Sequence, residues 1–126
     1  MSVLFVLAWI VAIGLVCLGL YSLLAPRLLA GHYGVAVEHH TGEGYVRATG
    51  VRDIALGVIL GAIAYTHATT LLIIFAIVAI LVSVVDLVLV RHHGGHRGMH
   101  YSHAIHASGI VAFILILTMA LFAIGL

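Results

Sequence analysis

The sequence predicts an all-α protein, a single integral membrane domain over residues 1–126 folded as a four-helix bundle. Two observations carry this. Hydrophobic residues make up 64% of the chain and charged ones only 7%, against about 25% charge in a soluble domain. Three largely apolar runs also reach about 20 residues each, the helical length that crosses a hydrocarbon core of about 30 Å, and a fourth reaches it by extending back to Tyr45.

The first span is expected over Val3–Leu24. This run has no basic residue before it and no small-residue cleavage pattern after it, so it reads as a retained helix and not a signal peptide. Pro26 ends it, because proline lacks the N–H that would continue the ladder. Pro26 to Gly44 reads as a long connection of mixed character. Leu28-Leu29-Ala30 and Val35-Ala36-Val37 are its candidate membrane-facing pieces.

The second span is expected over about residues 45–66. Ile54 to Tyr65 alone is too short to cross, so the helix must start near Tyr45 and carry Arg52 and Asp53 into the membrane. Asp53, Gly57 and Gly61 fall on one stripe by their four-residue spacing, and Gly57-x-x-x-Gly61 is a pattern that lets helices approach closely. The uncharged turn around His67 leads to a third span over about residues 70–90. Ser83 and Asp86 share one face of that span. A loop rich in glycine and histidine, Arg91 to His100, precedes a fourth span over about residues 101–124.

Charge and cysteine content exclude several classes. A net charge of +1 gives no electrostatic basis for binding nucleic acid. The lone Cys17 excludes an internal disulfide and a cysteine-based zinc site. All five cationic side chains are arginines: Arg27, Arg47, Arg52, Arg91 and Arg97. They lie in or beside the first and third connections. The positive-inside bias therefore puts both long connections in the cytoplasm and both termini outside, and the expected location of this multi-pass protein is a cell membrane, a bacterial inner membrane.

Depth arithmetic yields the candidate site. At about 1.5 Å per residue, Tyr21, Asp53, Asp86 and His106 each lie roughly 8–9 Å from the same membrane face. Every span thus offers polar groups at one level: Tyr21; Arg52 and Asp53; Asp86; His106. Ionisable groups at that depth are costly, so they turn to a partner or a cavity. Two readings stay open. Arg52 neutralises an acid and holds the bundle, or the cluster floors a pocket for a small molecule, quinone or metal. Two acids, one arginine and one histidine also form a proton-handling set.

Six of the ten histidines lie between His92 and His106. His96, His100 and His103 have the three- and four-residue spacing of one helical face. Imidazole suits a transition metal or haem iron.

Gly50-Val51-Arg52-Asp53-Ile54-Ala55-Leu56-Gly57 resembles the Gly-x-Arg-Asp-x-x-x-Gly signature of an uncharacterised family of small four-helix membrane proteins allied to the DoxX-like superfamily. Pro26-Arg27, Asp86 and His106 fit the same layout, so the likeness covers nearly the whole chain. The resemblance implies an integral membrane protein of unknown function. Some DoxX relatives are linked to quinone-coupled sulfur oxidation, but no residue set for that chemistry is matched in this sequence. The histidine loop from His92 to His100 departs from the group's pattern.

The leading expectation is an accessory or binding subunit that holds a hydrophobic or redox ligand, such as a quinone, in a polar-floored intramembrane cavity. Three alternatives stand beside it: a membrane isomerase or oxidoreductase with an Asp/His acid–base pair, a haem or metal protein, and a structural subunit of a larger membrane complex. The expected partners are the lipid bilayer and a homo-oligomer or larger complex. The Gly57/Gly61 face would serve either a dimer or the bundle itself.

Overall fold

A computed structural model of the chain describes residues 2–33, 40–93 and 99–125, with side chains described for all of these except 30–33, 40–42, 90, 93 and 99–105. The described residues form five α-helices: α1 (Val3–Leu24), α2 (Pro26–Tyr33), α3 (His40–Thr66), α4 (Thr69–His93) and α5 (Met99–Ala123). All but α2 are long and apolar enough to cross a membrane. The four spans are those expected, with α3 starting a turn or so earlier. The departure is α2, a helix of 8 residues inside what the sequence presents as a connection.

Local chemistry sets the breaks. The Ala25 N–H still donates to the Tyr21 carbonyl at 2.9 Å. Pro26 then has no N–H to give, but its fixed φ suits the first position of a new helix. The α3–α4 turn closes differently. The His67 N–H donates to Ala64 O and the Ala68 N–H to Ile63 O, each at 3.3 Å, which is the paired bonding of a Schellman cap. That cap needs a left-handed residue, and His67 supplies it at φ 53°, where glycine would cost less. The His67 ring also meets Phe5 edge-on at 4.6 Å, tying the start of α1 to this turn.

The surface is inverted relative to a soluble protein. Ala8, Ala12, Ala64, Ala76, Ala79 and Ala120 are buried, while Ile10, Val58, Leu71, Leu81 and Val111 are exposed. Lipid is as apolar as leucine, so burying large side chains gains little; close packing of small ones holds the helices together. Ser22, Thr49 and Thr118 each donate to the carbonyl four residues back in their own helix.

The bundle is built from two antiparallel pairs. In the first, Gly50 and Ile54 of α3 meet Gly19 of α1, Gly57 meets Ala12, and Gly61 meets Trp9. A methyl group on Gly19 would lie 2.5 Å from the Gly50 carbonyl oxygen, and one on Gly57 would lie 2.7 Å from the Ala12 carbonyl oxygen. The glycine stripe of α3 is therefore used within the bundle, against α1. In the second pair, Phe75 of α4 meets Phe113 of α5 edge-on, with centroids 6.0 Å apart. Although α3 and α4 are joined by the tight turn, they pack together only lightly. Between the two pairs lies the polar level.

Candidate functional site

Asp53 sits on the glycine stripe of α3, one helical turn from Gly57. The contacts that draw Gly50 and Gly57 against α1 place the intervening turn inside the bundle, and Asp53 is only 6% exposed. Asp86 comes from the last third of α4, and His106 from α5, where it is 9% exposed. Arg52 lies a third exposed at the edge of the group, with its guanidinium turned inward.

The pairing is closer to one acid than to the other. Arg52 Nη1 donates to Asp86 at 2.7 Å to Oδ2 and 2.9 Å to Oδ1, and Arg52 Nη2 reaches Asp53 Oδ1 at 3.3 Å. Sequence neighbours on a helix do not normally face each other. The long arginine stem curls back over Asp53 on its way to α4, so one guanidinium serves both carboxylates. The buried Arg52 Nε has no acceptor among the described residues. Nitrogen donors of this kind rarely stay unsatisfied in a dry interior, because an unmade bond costs about 1–3 kcal/mol.

Beside these groups lies a cavity of about 80 Å³. Arg52, Asp53, Asp86 and His106 all line it, together with Ser83 and apolar walls from Leu15, Leu18 and Phe113. The volume holds a few water molecules. One guanidinium against two carboxylates leaves the group formally at −1 while the imidazole is neutral. The cavity is thus an intramembrane pocket with fixed donors, fixed acceptors and a titratable ring. It is suited to gripping a small polar group or to holding and passing a proton.

Four of the five residues placed at this depth by sequence share one cavity. Tyr21 does not. It is 44% exposed at the same level, because Leu18 and Ser22, four residues apart, take the inward face of α1 and Tyr21 falls about 100° from Ser22. The lining residues outside the expected cluster include Ser83 and Gly109. Ser83 was already visible on the Asp86 face. Gly109 of α5 faces it, and a methyl group there would lie 3.8 Å from Ser83 Oγ, an ordinary contact distance. A lone glycine with no patterned neighbour gives no such signal in sequence.

The histidine face has a different standing. His96 lies outside the described residues, and so do the side chains of His100 and His103. Among the described residues, no three His, Cys, Asp or Glu side chains are grouped to hold a metal.

The sequence profile of DUF4267, a domain of unknown function, matches residues 12–121. No curated protein and no solved structure matches the chain. With nearly its whole length covered, from mid-α1 to the last turns of α5, the chain belongs to the DUF4267 family.

Proposed function

We propose that this protein is a small membrane-embedded binding subunit that grips the polar end of a lipid-soluble ligand, such as a quinone carbonyl, in the Arg52–Asp53–Asp86–His106 cavity. The observation that carries the reading is the buried Arg52 Nε donor, without an acceptor among the described residues, beside a cavity inside an apolar bundle. A carbonyl oxygen of the ligand would accept from it. The cavity volume of about 80 Å³ suits polar atoms and not a whole ring, so the ring and tail would lie in the lightly packed α3–α4 seam. His106 and the two carboxylates would supply or take the proton that a quinone exchanges on reduction or oxidation.

The test uses the full chain in lipid nanodiscs and a decyl-substituted benzoquinone. Saturable retention above that of empty nanodiscs is expected, falling at least tenfold in Asp53→Asn and His106→Gln while helicity and thermal stability persist. Retention equal to empty nanodiscs, or unchanged in both folded variants, removes the reading.

The acid–base alternative draws on the same cavity, where His106 stands with two carboxylates around one guanidinium. Turnover of an added lipid-soluble substrate, lost in Asp86→Asn, would favour it over simple binding. A bacterial inner membrane with both termini outside is part of this proposal, the orientation being supported by the arginines. Arg27, Arg47 and Arg91 sit at the α2 end of the bundle, and the opposite end around His67 carries none. Kinship with the DoxX-like superfamily is part of this proposal, resting on the Gly50–Gly57 signature.

A further inference from the structure

At the elbow where α1 gives way to α2, a second cavity of about 470 Å³ opens against the start of α3. Its polar lining is Arg27, Glu43 and Arg47, and its apolar lining includes Leu24, Pro26 and Leu28. It is separate from the Arg52 cavity and shares no residue with it.

The charges are arranged unevenly. Arg27 Nε pairs with Glu43 Oε1, which holds the Arg27 side chain across the mouth of the elbow. Arg47, one turn further along α3, is exposed and makes no ion pair among the described residues. Among the described residues, two arginines against one glutamate leave this corner positive. Leu24 and Leu28, 83% and 66% exposed, flank it as a greasy wall. Tyr45, about half exposed between Glu43 and Arg47, is an aromatic residue of the kind that favours the membrane–water boundary. A positive corner, an apolar wall and an interfacial tyrosine are the complement of one class of molecule.

We propose that this elbow binds the headgroup of an anionic phospholipid, its phosphate held between Arg47 and Arg27 and an acyl chain laid along Leu24 and Leu28. Arginine suits phosphate oxygens through its planar fork of donors. Glu43 fixes Arg27 in place, and Arg47 supplies a charge that no ion pair among the described residues answers. The site does not depend on the reading of the Arg52 cavity.

Native mass spectrometry of the full chain, extracted in detergent and loaded with phosphatidylglycerol or phosphatidylcholine, tests this. Phosphatidylglycerol should be retained in preference. Arg47→Gln should weaken its retention about fivefold, and so should Arg27→Gln, as expected for one interfacial arginine. Arg91→Gln, an exposed arginine on α4 outside the elbow, should leave it at the wild-type level. Both residues are exposed, so the variants should fold; a circular dichroism spectrum checks this. Equal retention of the two lipids, wild-type retention in both elbow variants, or an equal loss in Arg91→Gln would overturn the proposal. So would displacement of the lipid by millimolar inorganic phosphate, which would assign the corner to a soluble anion.

Discussion

The α1–α3 and α4–α5 pairs meet the same demand, helix contact inside lipid, by opposite means. In α1–α3 the backbones themselves approach. Gly19 and Gly50 face each other so closely that neither has room for a methyl group, and Gly57 presses against the Ala12 carbonyl. In α4–α5 the buried alanines are joined by Phe75 and Phe113, which fill the space between backbones edge to face. The first pair is specified by what is missing from its side chains, the second by what is present. Charged groups take no part in these packing contacts among the described residues. They lie at the boundary of the two pairs, where Arg52 of one reaches Asp86 of the other. The lesson is that shape assembles each pair and charge aligns the pairs with each other.

Substitutions can break or sharpen this contrast. The largest effect is expected at the join. Arg52→Ala strands two carboxylates in the bundle, which should cost about 3 kcal/mol, the low end for breaking a buried pair because Arg52 is a third exposed. Thermal unfolding in detergent measures it. If charge aligns the pairs, the variant should lose α3–α4 proximity, read by cross-linking, before it loses helicity. Phe113→Ala should follow, at about 3 kcal/mol for a buried aromatic. Gly57→Ala should cost roughly 1–3 kcal/mol, because the backbone it would strike cannot yield as a side chain would.

The sharpest single comparison is Gly57→Ala against Gly109→Ala. A methyl group on Gly109 meets nothing nearer than Ser83 Oγ at 3.8 Å, so α5 should gain up to about 1 kcal/mol from the better helix former. The same substitution should thus destabilise one pair and stabilise the other. Equal signs would refute the contrast. The smallest effect is expected for His67→Gly, where relief of left-handed strain, roughly 1 kcal/mol, is offset by loss of the Phe5 ring contact.

Much of this architecture is readable in the sequence because a bilayer imposes one length on every span. Four apolar runs and their punctuation place α1, α3, α4 and α5 to within a turn or so. The same length rule puts Arg52, Asp53, Asp86 and His106 at one depth, and they do line one cavity. What the rule lacks is rotation about each helix axis. Tyr21 sits at the right depth and faces outward, since nothing in an apolar helix marks its inner side. Glycine partners are equally silent: Gly50, Gly57 and Gly61 form a stripe, but Gly19, the residue that Gly50 meets, stands without a pattern. The short helix α2 escapes notice because 8 residues hold barely two turns of periodicity, too few to tell from a loop.

One detail of the polar cluster bears on how the protein is made. Arg52 reaches Asp53 within the same helix before it reaches Asp86 on the next. A nascent α3 therefore enters the bilayer with its own counterion attached, and the hydroxyls of Ser22, Thr49 and Thr118 are equally provided for along their own spans. Asp86 is different, for its cation belongs to the preceding span. Biosynthesis thus has a natural order: α3 can settle in lipid on its own, and α4 becomes electrically complete on meeting a neighbour that is already there.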